Sequence, residues 1–205
     1  MSELIWRTAV DDEAAGRRAQ NMREKRNRIM RAAAELFSER GFEGVTTQEI
    51  SERADVAAGT LFRYAASKGE LFLMVHNEEL RAAIEIGAAA AADQADPDSA
   101  VLAQIEPVLV RAHDSRSAAV YQRELLFGPP GERYRAEGLE LVGELQRRIA
   151  ELLGGGTEAV RAARTVFAVL NLLLVQPWTG VHPGTDPVEE LRAQVAQVVR
   201  GFRAR

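Results

Sequence analysis

The chain has 205 residues, of which 46% are hydrophobic and 27% charged, and its formal net charge is −4. This composition is typical of a globular protein of one domain or two small ones, and it disfavours disorder along the whole chain. The sequence contains no cysteine, which excludes thiol nucleophiles, disulfides, iron–sulfur clusters and cysteine-ligated zinc sites. Taken alone, the negative net charge argues mildly against a polyanionic partner.

We expect neither a membrane span nor a secretory leader. The longest apolar run, Val166 to Val175, has ten residues, whereas a membrane-spanning helix needs about 20. Residues 1–20 lack the apolar stretch of a signal peptide and include Asp11, Asp12 and Glu13. These features predict a cytoplasmic protein without a membrane partner.

Charge is distributed unevenly along the chain. Residues 71–205 contain fourteen basic and eighteen acidic side chains. Residues 17–31 contain a single acidic side chain and seven basic ones: Arg17, Arg18, Arg23, Lys25, Arg26, Arg28 and Arg31. The ordinary explanation of such a run is a solvated helix face, but a basic front and an acidic remainder suggest two parts with different partners.

Apolar residues recur at helical spacing from residue 29 onwards, and strand signals are nearly absent. The first helix ends at Gly41, and a capping box from Thr46 to Glu49 opens a second, short helix. A third is predicted from about Ala58 to Tyr64. A second capping box, from Ser67 to Glu70, opens a long fourth helix.

Beyond residue 96 the sequence predicts five further helices, separated by glycine- and proline-rich breaks. Their predicted ranges are 97–113, 116–127, 132–153, 157–176 and 187–203. The expected fold is therefore all-α, with a three-helix N-terminal helix-turn-helix domain followed by a C-terminal helical bundle of about six helices.

Residues 47–64 have the pattern of a helix-turn-helix. Two short helices can pack across a three- or four-residue turn through four apolar side chains, those of Ile50, Ala54, Val56 and Leu61. Asp55 lies at this turn, where its short polar side chain tolerates a positive φ. Ala58 and Gly59 are small enough for backbone amides to approach a phosphate closely.

The flanking residues make this pattern specific. The order and spacing of five segments resemble the N-terminal domain of the TetR family of transcriptional repressors, over about residues 25–75: Ile29 to Phe37, Gly41-Phe42, Thr46 to Ile50, Gly59 to Tyr64 and Ser67 to Leu71. The chain departs from the usual family pattern at Ser51, Asp55 and Ala65. Ala65 stands where a phenylalanine commonly closes the third helix, and it leaves a gap that Phe62, Tyr64 or Phe72 would have to fill.

The resemblance implies a sequence-specific DNA-binding transcriptional regulator, in most of the family a repressor that a ligand releases from DNA. It implies a DNA-binding surface formed by Thr47, Ala58, Gly59, Thr60, Phe62, Arg63, Tyr64 and Lys68. Arg63 is the candidate for reading guanine, since a guanidinium can bond its O6 and N7 atoms. Thr47, at the start of the second helix, is implied to contact a phosphate, and Thr60, Tyr64 and Lys68 are further candidates for phosphate contacts.

The expected domains are a flexible N-terminal arm over residues 1–21, the helix-turn-helix domain over 22–67, and a ligand-sensing and dimerisation domain over 68–205. The basic arm would add affinity through counterion release and could reach an adjacent groove. The sequence does not distinguish which of its arginines contact DNA.

The resemblance also implies a homodimer on a palindromic operator, with a four-helix interface formed by the last two helices of each subunit. Apolar stripes at helical spacing are the candidate interface: Phe167, Leu170, Leu174, Leu191, Val195, Val198 and Phe202. The alternative is that both stripes face only their own core, and it predicts a monomer.

An unknown small-molecule effector is expected among the middle helices. Candidates for the pocket are polar or aromatic residues in apolar segments: His113, Tyr121, Phe127, Asn171 and Trp178. Each has an alternative role as ordinary core or rim. Binding there would move the fourth helix, separate the two recognition helices and lower DNA affinity.

We expect neither an enzyme nor a bound cofactor or metal. A di-iron site in a helical bundle needs Glu-x-x-His motifs, and none of His76, His113 and His182 has a glutamate three residues before it. Serine-hydrolase and phosphate-loop motifs do not occur either. A helical scaffold without a DNA role is the other alternative to a regulator.

Overall fold

The computed structural model describes residues 2–113, 117–179, 184 and 186–203, and for residues 2–15, 112–113 and 177–179 it describes the backbone alone. All regular structure in this part of the chain is helical. The helices are α1 (Ser2–Arg40), α2 (Thr47–Arg53), α3 (Ala58–Leu61), α4 (Lys68–Ala92), α5 (Pro97–His113), α6 (Ser117–Phe127), α7 (Arg133–Leu152), α8 (Gly156–Thr179) and α9 (Pro187–Arg203). The predicted all-α fold is confirmed, with bounds within a few residues of those expected except at the start of α1 and the end of α3.

The chain forms two compact units, Met1–Val75 and His76–Arg205. The division falls inside α4, eight residues after the boundary expected from the sequence. The reason lies in the first two turns of α4, where Phe72 is buried and packs edge-to-face on Phe37 at 5.1 Å and on Phe42 at 5.2 Å between ring centroids. Because these aromatic contacts hold the start of α4 to α1, residues 68–75 belong to the first unit.

Helix α1 begins at Ser2, so the structure has helical backbone where we expect a flexible arm over residues 1–21. This segment contains no proline and a single glycine, Gly16, so nothing in it terminates a helix. A hydrogen bond of 2.9 Å from Gln20 to Glu24 links successive turns. DNA contact by this segment stays a prediction.

The core of the first unit is formed by apolar side chains of α1 to α4. Its fully buried members include Ile29, Leu36, Ile50, Leu61 and Leu71. Ala65 is also buried, and of the three aromatic residues considered for its missing ring, Phe72 is buried in the core whereas Phe62 is 48% exposed.

The core of the second unit is formed mainly by α5, α7, α8 and α9. Helix α9 packs on α8 and α5, and its buried face consists of Leu191, Val195 and Val199. Among the described residues, no helix combines the length and the apolar character that a membrane span requires.

Candidate functional site

The turn between α2 and α3 has the geometry expected of a helix-turn-helix. Ala54 N–H donates to the Ile50 carbonyl at 2.9 Å, and Val56 N–H donates to the Ser51 carbonyl at 3.0 Å. Asp55 between them has φ +51°, the one positive φ of a non-glycine residue in the described chain. The prediction for Asp55 is confirmed, and its carboxylate accepts a hydrogen bond from Arg28 of α1 at 3.3 Å.

A complete capping box fixes the start of α2. Glu49 N–H donates to Thr46 Oγ1 at 3.2 Å, and Thr46 N–H donates to Glu49 Oε2 at 2.8 Å. Arg40, in the last turn of α1, donates to the other carboxylate oxygen of Glu49 at 2.8 Å. These hydrogen bonds lower the pKa of Glu49 from 4.5 to about 2, and the Arg40 guanidinium has the largest effect, ahead of the two Thr46 donors. Helix α2 is thereby tied to the end of α1.

Helix α3 presents most of the predicted DNA-binding residues to solvent. Leu61 is fully buried and anchors the helix, while Phe62, immediately after it, is 48% exposed. Ala58, Gly59 and Arg63 are exposed. A short helix held by one buried leucine therefore presents small residues to solvent, and the turn after it presents an aromatic ring and a guanidinium.

The three predicted phosphate contacts with hydroxyl groups, Thr47, Thr60 and Tyr64, are half-buried. Thr47 occupies the first position of α2, after the N-cap. The Tyr64 hydroxyl donates to the carbonyl of Met22 on α1 at 3.4 Å. This bond places the Tyr64 hydroxyl next to the basic segment of α1, which includes Met22.

Lys68 has an intramolecular role that the sequence does not reveal. Its ammonium donates to the carbonyl oxygens of Phe42 and Val45 at 3.0 and 3.1 Å, and lies 4.3 Å from the centroid of the Phe42 ring. Two of its three N–H donors are used in holding the loop between α1 and α2. A phosphate contact by Lys68, which stays a prediction, would use the third.

The basic segment lies on α1. Of its seven basic side chains all are exposed except Arg26, which is half-buried. Arg28 is engaged with Asp55, so the segment also stabilises the turn of the helix-turn-helix. An exposed ion pair of this kind contributes at most about 1 kcal/mol.

The second unit contains a cavity of about 790 Å³, counting the space at its open side. Helices α4 to α8 all contribute to its wall. The lining is mainly apolar, with polar or charged side chains from His76, Glu79, Arg111, Ser117, Tyr121, Gln122 and Asn171. An apolar enclosure with a few polar groups is the usual form of a small-molecule site.

Two of the polar groups form a pair on α4. His76 Nδ1 and Glu79 Oε2 are 2.7 Å apart. The hydrogen bond from His76 is the main cause that lowers the pKa of Glu79, and Arg111 adds a smaller electrostatic contribution. Glu79 is therefore an ionised carboxylate in the wall of the cavity at neutral pH.

The predicted pocket residues divide into three groups. Tyr121 and Asn171 line the cavity. Phe127 does not, because it lies at the last position of α6 and 83% of it is exposed; the sequence prediction for this residue is corrected. The side chains of His113 and Trp178 lie outside the described residues.

Sequence analysis missed His76, Glu79 and Gln122 as cavity residues. The sequence shows only that the His-x-x-Glu spacing places His76 and Glu79 on one side of α4. It gives no indication for Gln122. Which side of α4 faces a cavity depends on the packing of α6 and α8. Among the described residues, no group of three or more acidic or histidine side chains could hold a metal ion.

The predicted dimer stripes are only partly available to a second subunit. Leu170, Leu191 and Val195 are fully buried in the core of their own chain, because α9 packs on α8 and α5. Phe167 and Leu174 are partly buried and line the cavity. Val198 and Phe202 are partly buried. The 3-4 spacing of these residues thus reflects mainly intramolecular packing, and this part of the interface prediction is corrected.

Comparisons with known proteins agree with this architecture. The family described as bacterial regulatory proteins of the tetR family matches residues 29–75. The transcriptional regulator TcmR of Streptomyces glaucescens is 31% identical over 167 residues, which cover 76% of this chain and 72% of that protein. The transcriptional repressor KstR of Mycolicibacterium smegmatis is 44% identical over 57 residues, and this match spans only 28% of either chain.

Among solved structures, FadR of Thermus thermophilus, a TetR-family repressor in complex with lauroyl-CoA, superposes with a TM-score of 0.69. It is 26% identical in sequence, and the match covers 86% of this chain and 94% of that one. The family match includes α2, α3 and the start of α4, and the similarity to TcmR extends well into the second unit. The chain belongs to the TetR family of transcriptional regulators.

Proposed function

We propose that this TetR-family regulator is a homodimeric repressor that binds a palindromic operator through α3 and leaves it when a small molecule occupies the cavity of the second unit. The observation that carries the proposal is the exposure of α3. Leu61 holds the helix in the core while Ala58, Gly59, Phe62 and Arg63 face outward. A helix presented in this way can enter the major groove.

The exposed residues of α3 and of the turn that follows it have complementary chemistry for DNA. The Arg63 guanidinium can donate two hydrogen bonds to guanine, the commonest specific contact in the major groove. The small side chains of Ala58 and Gly59 allow the backbone to approach a phosphate. Basic residues of α1, together with half-buried Thr47 and Thr60, would position the helix without reading sequence.

The proposed dimer would use the outward face of α8. The opposite face of this helix is buried in the core. Along the outward face lie small or apolar residues, Thr165, Ala168, Val169, Leu172 and Val175, and Leu172 is 44% exposed. A second copy of the chain would cover this face and place two recognition helices about 34–36 Å apart, one turn of DNA.

The proposed effector site is the cavity, and α4 would connect it with DNA binding. The helix supplies His76 and Glu79 to the cavity wall, and Lys68 at its first position holds the loop between α1 and α2. A ligand that shifts α4 would therefore change the DNA-binding unit of each subunit. The lauroyl-CoA complex of the Thermus thermophilus relative supports a small-molecule effector for this fold.

DNA binding is tested by selecting fragments from genomic DNA and measuring affinity for the selected site by fluorescence anisotropy across a salt series. We expect a steep salt dependence. Arg63→Ala should weaken specific binding by roughly ten- to a hundredfold, the value of one bidentate base contact, and change binding to unrelated DNA little. Arg147→Ala, an exposed arginine on α7, is the matched control. A helical scaffold would show no binding at low salt.

The dimer is tested by light scattering and analytical ultracentrifugation. Leu172→Glu should give a monomer with weakened operator binding, because it places a charge in the proposed interface. Leu139→Glu on α7, at a position 40% exposed, should stay dimeric. If both variants dimerise like the parent, the α8 face is not the interface.

Repression is tested by transcription in vitro from a promoter that contains the selected operator. The protein should lower transcript yield, and an effector that releases the protein from DNA should restore it. Increased transcription on addition of the protein would identify an activator instead.

A further inference from the structure

The Tyr121 hydroxyl in the cavity wall donates its hydrogen to an acceptor whose orientation is fixed by a second hydrogen bond. Asn77 is fully buried, and its Nδ2 donates to the backbone carbonyl of Tyr134 at 2.8 Å. A carbonyl can only accept, so the amide orientation of Asn77 is determined and its Oδ1 must be an acceptor. The Tyr121 hydroxyl donates to this atom at 2.8 Å. The Tyr121 oxygen retains only the capacity to accept a hydrogen bond.

A second chain of hydrogen bonds has the same result at Gln122. Asn171 Nδ2 donates to the backbone carbonyl of Phe167 at 2.9 Å, which fixes Asn171 Oδ1 as an acceptor. Gln122 Nε2 donates both of its hydrogens to Asn171, one to Oδ1 at 2.9 Å and one to the backbone oxygen at 3.0 Å. The hydrogen-bonding capacity that Gln122 retains is that of its carbonyl oxygen.

Glu79 is also an acceptor, since its carboxylate is kept ionised by His76. Arg111 is a possible donor in the cavity wall, but its side chain is exposed to solvent. A salt bridge to an exposed guanidinium contributes little, and an anionic ligand would also face the Glu79 carboxylate. Three of the seven polar or charged lining side chains, those of Tyr121, Gln122 and Glu79, therefore retain only acceptor atoms for a ligand inside an otherwise apolar cavity.

We propose that the cavity takes an apolar ligand that donates hydrogen bonds through a hydroxyl, phenol or amine group to Tyr121, Gln122 and Glu79, and that it discriminates against carboxylates and phosphates. This proposal rests on the proposed role of the cavity as an effector site. It names the chemistry of the effector head group. An acyl-CoA, whose head group is anionic, should accordingly bind this cavity poorly.

The test compares three ligands that share an aromatic skeleton: 2-naphthol, 2-methoxynaphthalene and 2-naphthoate. Methylation removes the donor of 2-naphthol and keeps its oxygen, while the carboxylate replaces the donor with an anion. Titration calorimetry on the full chain should show 2-naphthol binding roughly three- to tenfold more tightly than its methyl ether, as one hydrogen bond contributes about 0.5–1.5 kcal/mol. The carboxylate and lauroyl-CoA should bind more weakly than 2-naphthol.

Gln122→Met removes one acceptor at similar size, and Tyr121→Phe removes another. Each should bring the affinity ratio between 2-naphthol and its methyl ether towards one, with circular dichroism confirming that the variant is folded. Gln146→Met, a half-buried α7 residue outside the cavity lining, should leave the ratio unchanged.

Equal binding of 2-naphthol and its methyl ether by the parent protein, tighter binding of 2-naphthoate or lauroyl-CoA, or no binding of 2-naphthol would each overturn the proposal. Operator binding is measured on the same preparations. Loss of operator binding would refute the proposed function whatever the ligands do, and intact operator binding with the wrong ligand preference would refute only the head-group chemistry.

Discussion

The Lys68 ammonium contacts two different groups of Phe42: it donates to the Phe42 carbonyl at 3.0 Å and lies 4.3 Å from the centroid of the Phe42 ring. The same ammonium donates to the Val45 carbonyl. A lysine that the family resemblance predicts to contact DNA therefore also holds the loop before α2 through hydrogen bonds. Its two roles can be separated by experiment.

Lys68→Met should destabilise the folded chain by about 1–3 kcal/mol, because it removes two charge-assisted hydrogen bonds in a half-buried position. Urea unfolding at neutral pH measures this change. Lys25→Met, at an exposed position on α1, should leave stability nearly unchanged. If Lys68 also contacts a phosphate, the slope of log affinity against log salt will become shallower by roughly one contact. If Lys68→Met unfolds at the same urea concentration as the parent, the hydrogen bonds of Lys68 to the loop do not stabilise the fold.

Acid should weaken the attachment of α2 to α1 through Glu49. Its folded-state pKa of about 2 lies below the ordinary value of 4.5, so the unfolded chain takes up this proton first as the pH falls. The stabilisation is complete above about pH 4.5 and is lost as the pH falls towards 2. Glu49→Gln should therefore lose less stability than the parent between about pH 5 and pH 3. Urea unfolding at several pH values measures this, and Glu52→Gln, on the exposed side of α2, should follow the parent.

Two glycines of α7 should respond oppositely to alanine. A Cβ at buried Gly138 would lie 2.8 Å from Leu125 Cδ1, 2.9 Å from Asn77 Oδ1 and 3.0 Å from the Tyr121 hydroxyl. Gly138→Ala should therefore cost about 1–3 kcal/mol and disturb the hydrogen bonds of the cavity wall. Gly143 has nothing within 4 Å of such a Cβ, so Gly143→Ala should stabilise the helix by about 0.5–1 kcal/mol. Thermal unfolding distinguishes them, and a neutral Gly138→Ala would show that α6 and α7 separate easily.

Phe62 should contribute to DNA recognition through an apolar contact. Its side chain has no polar atom and is 48% exposed next to Arg63, and the thymine methyl group is the apolar feature of the major-groove edge. Replacing one thymine of the selected half-site by uracil should weaken binding about threefold to fivefold, the value of one buried methyl group. The same replacement should not affect Phe62→Ala.

The uracil series is read by anisotropy with each thymine replaced in turn. Phe127→Ala, which removes another exposed phenylalanine, serves as the control and should retain the full effect. Equal sensitivity to uracil in the parent and in Phe62→Ala would exclude a methyl contact by this ring.

Several features of the candidate site could be predicted from the sequence because they depend on neighbours within one helical turn. The capping box of Thr46 and Glu49 and the positive φ of Asp55 are of this kind. Apart from the start of α1 and the end of α3, the helix bounds follow from the same local signals, and so does the all-α fold. A resemblance in motif spacing over residues 25–75 was enough to indicate the family.

Other features could not be predicted because side chains distant in sequence decide them. The 3-4 spacing of apolar residues shows that Leu191 and Val195 share a face of α9. Only the packing of α9 on α8 and α5 shows that this face is buried in the core of the same chain. The polarity of the cavity depends on Asn77, 57 residues away from the carbonyl of Tyr134 that orients it.

The sequence by itself therefore determined the helices, the helix-turn-helix and the family of this protein, since local hydrogen bonding and periodicity are encoded within a few residues. The tertiary structure decided which apolar faces are covered, that Lys68 binds carbonyls 23 and 26 residues away, and which hydrogen-bonding groups the cavity retains. These depend on which helices meet, and one helix's sequence does not specify the partner that satisfies its polar atoms or buries its apolar face.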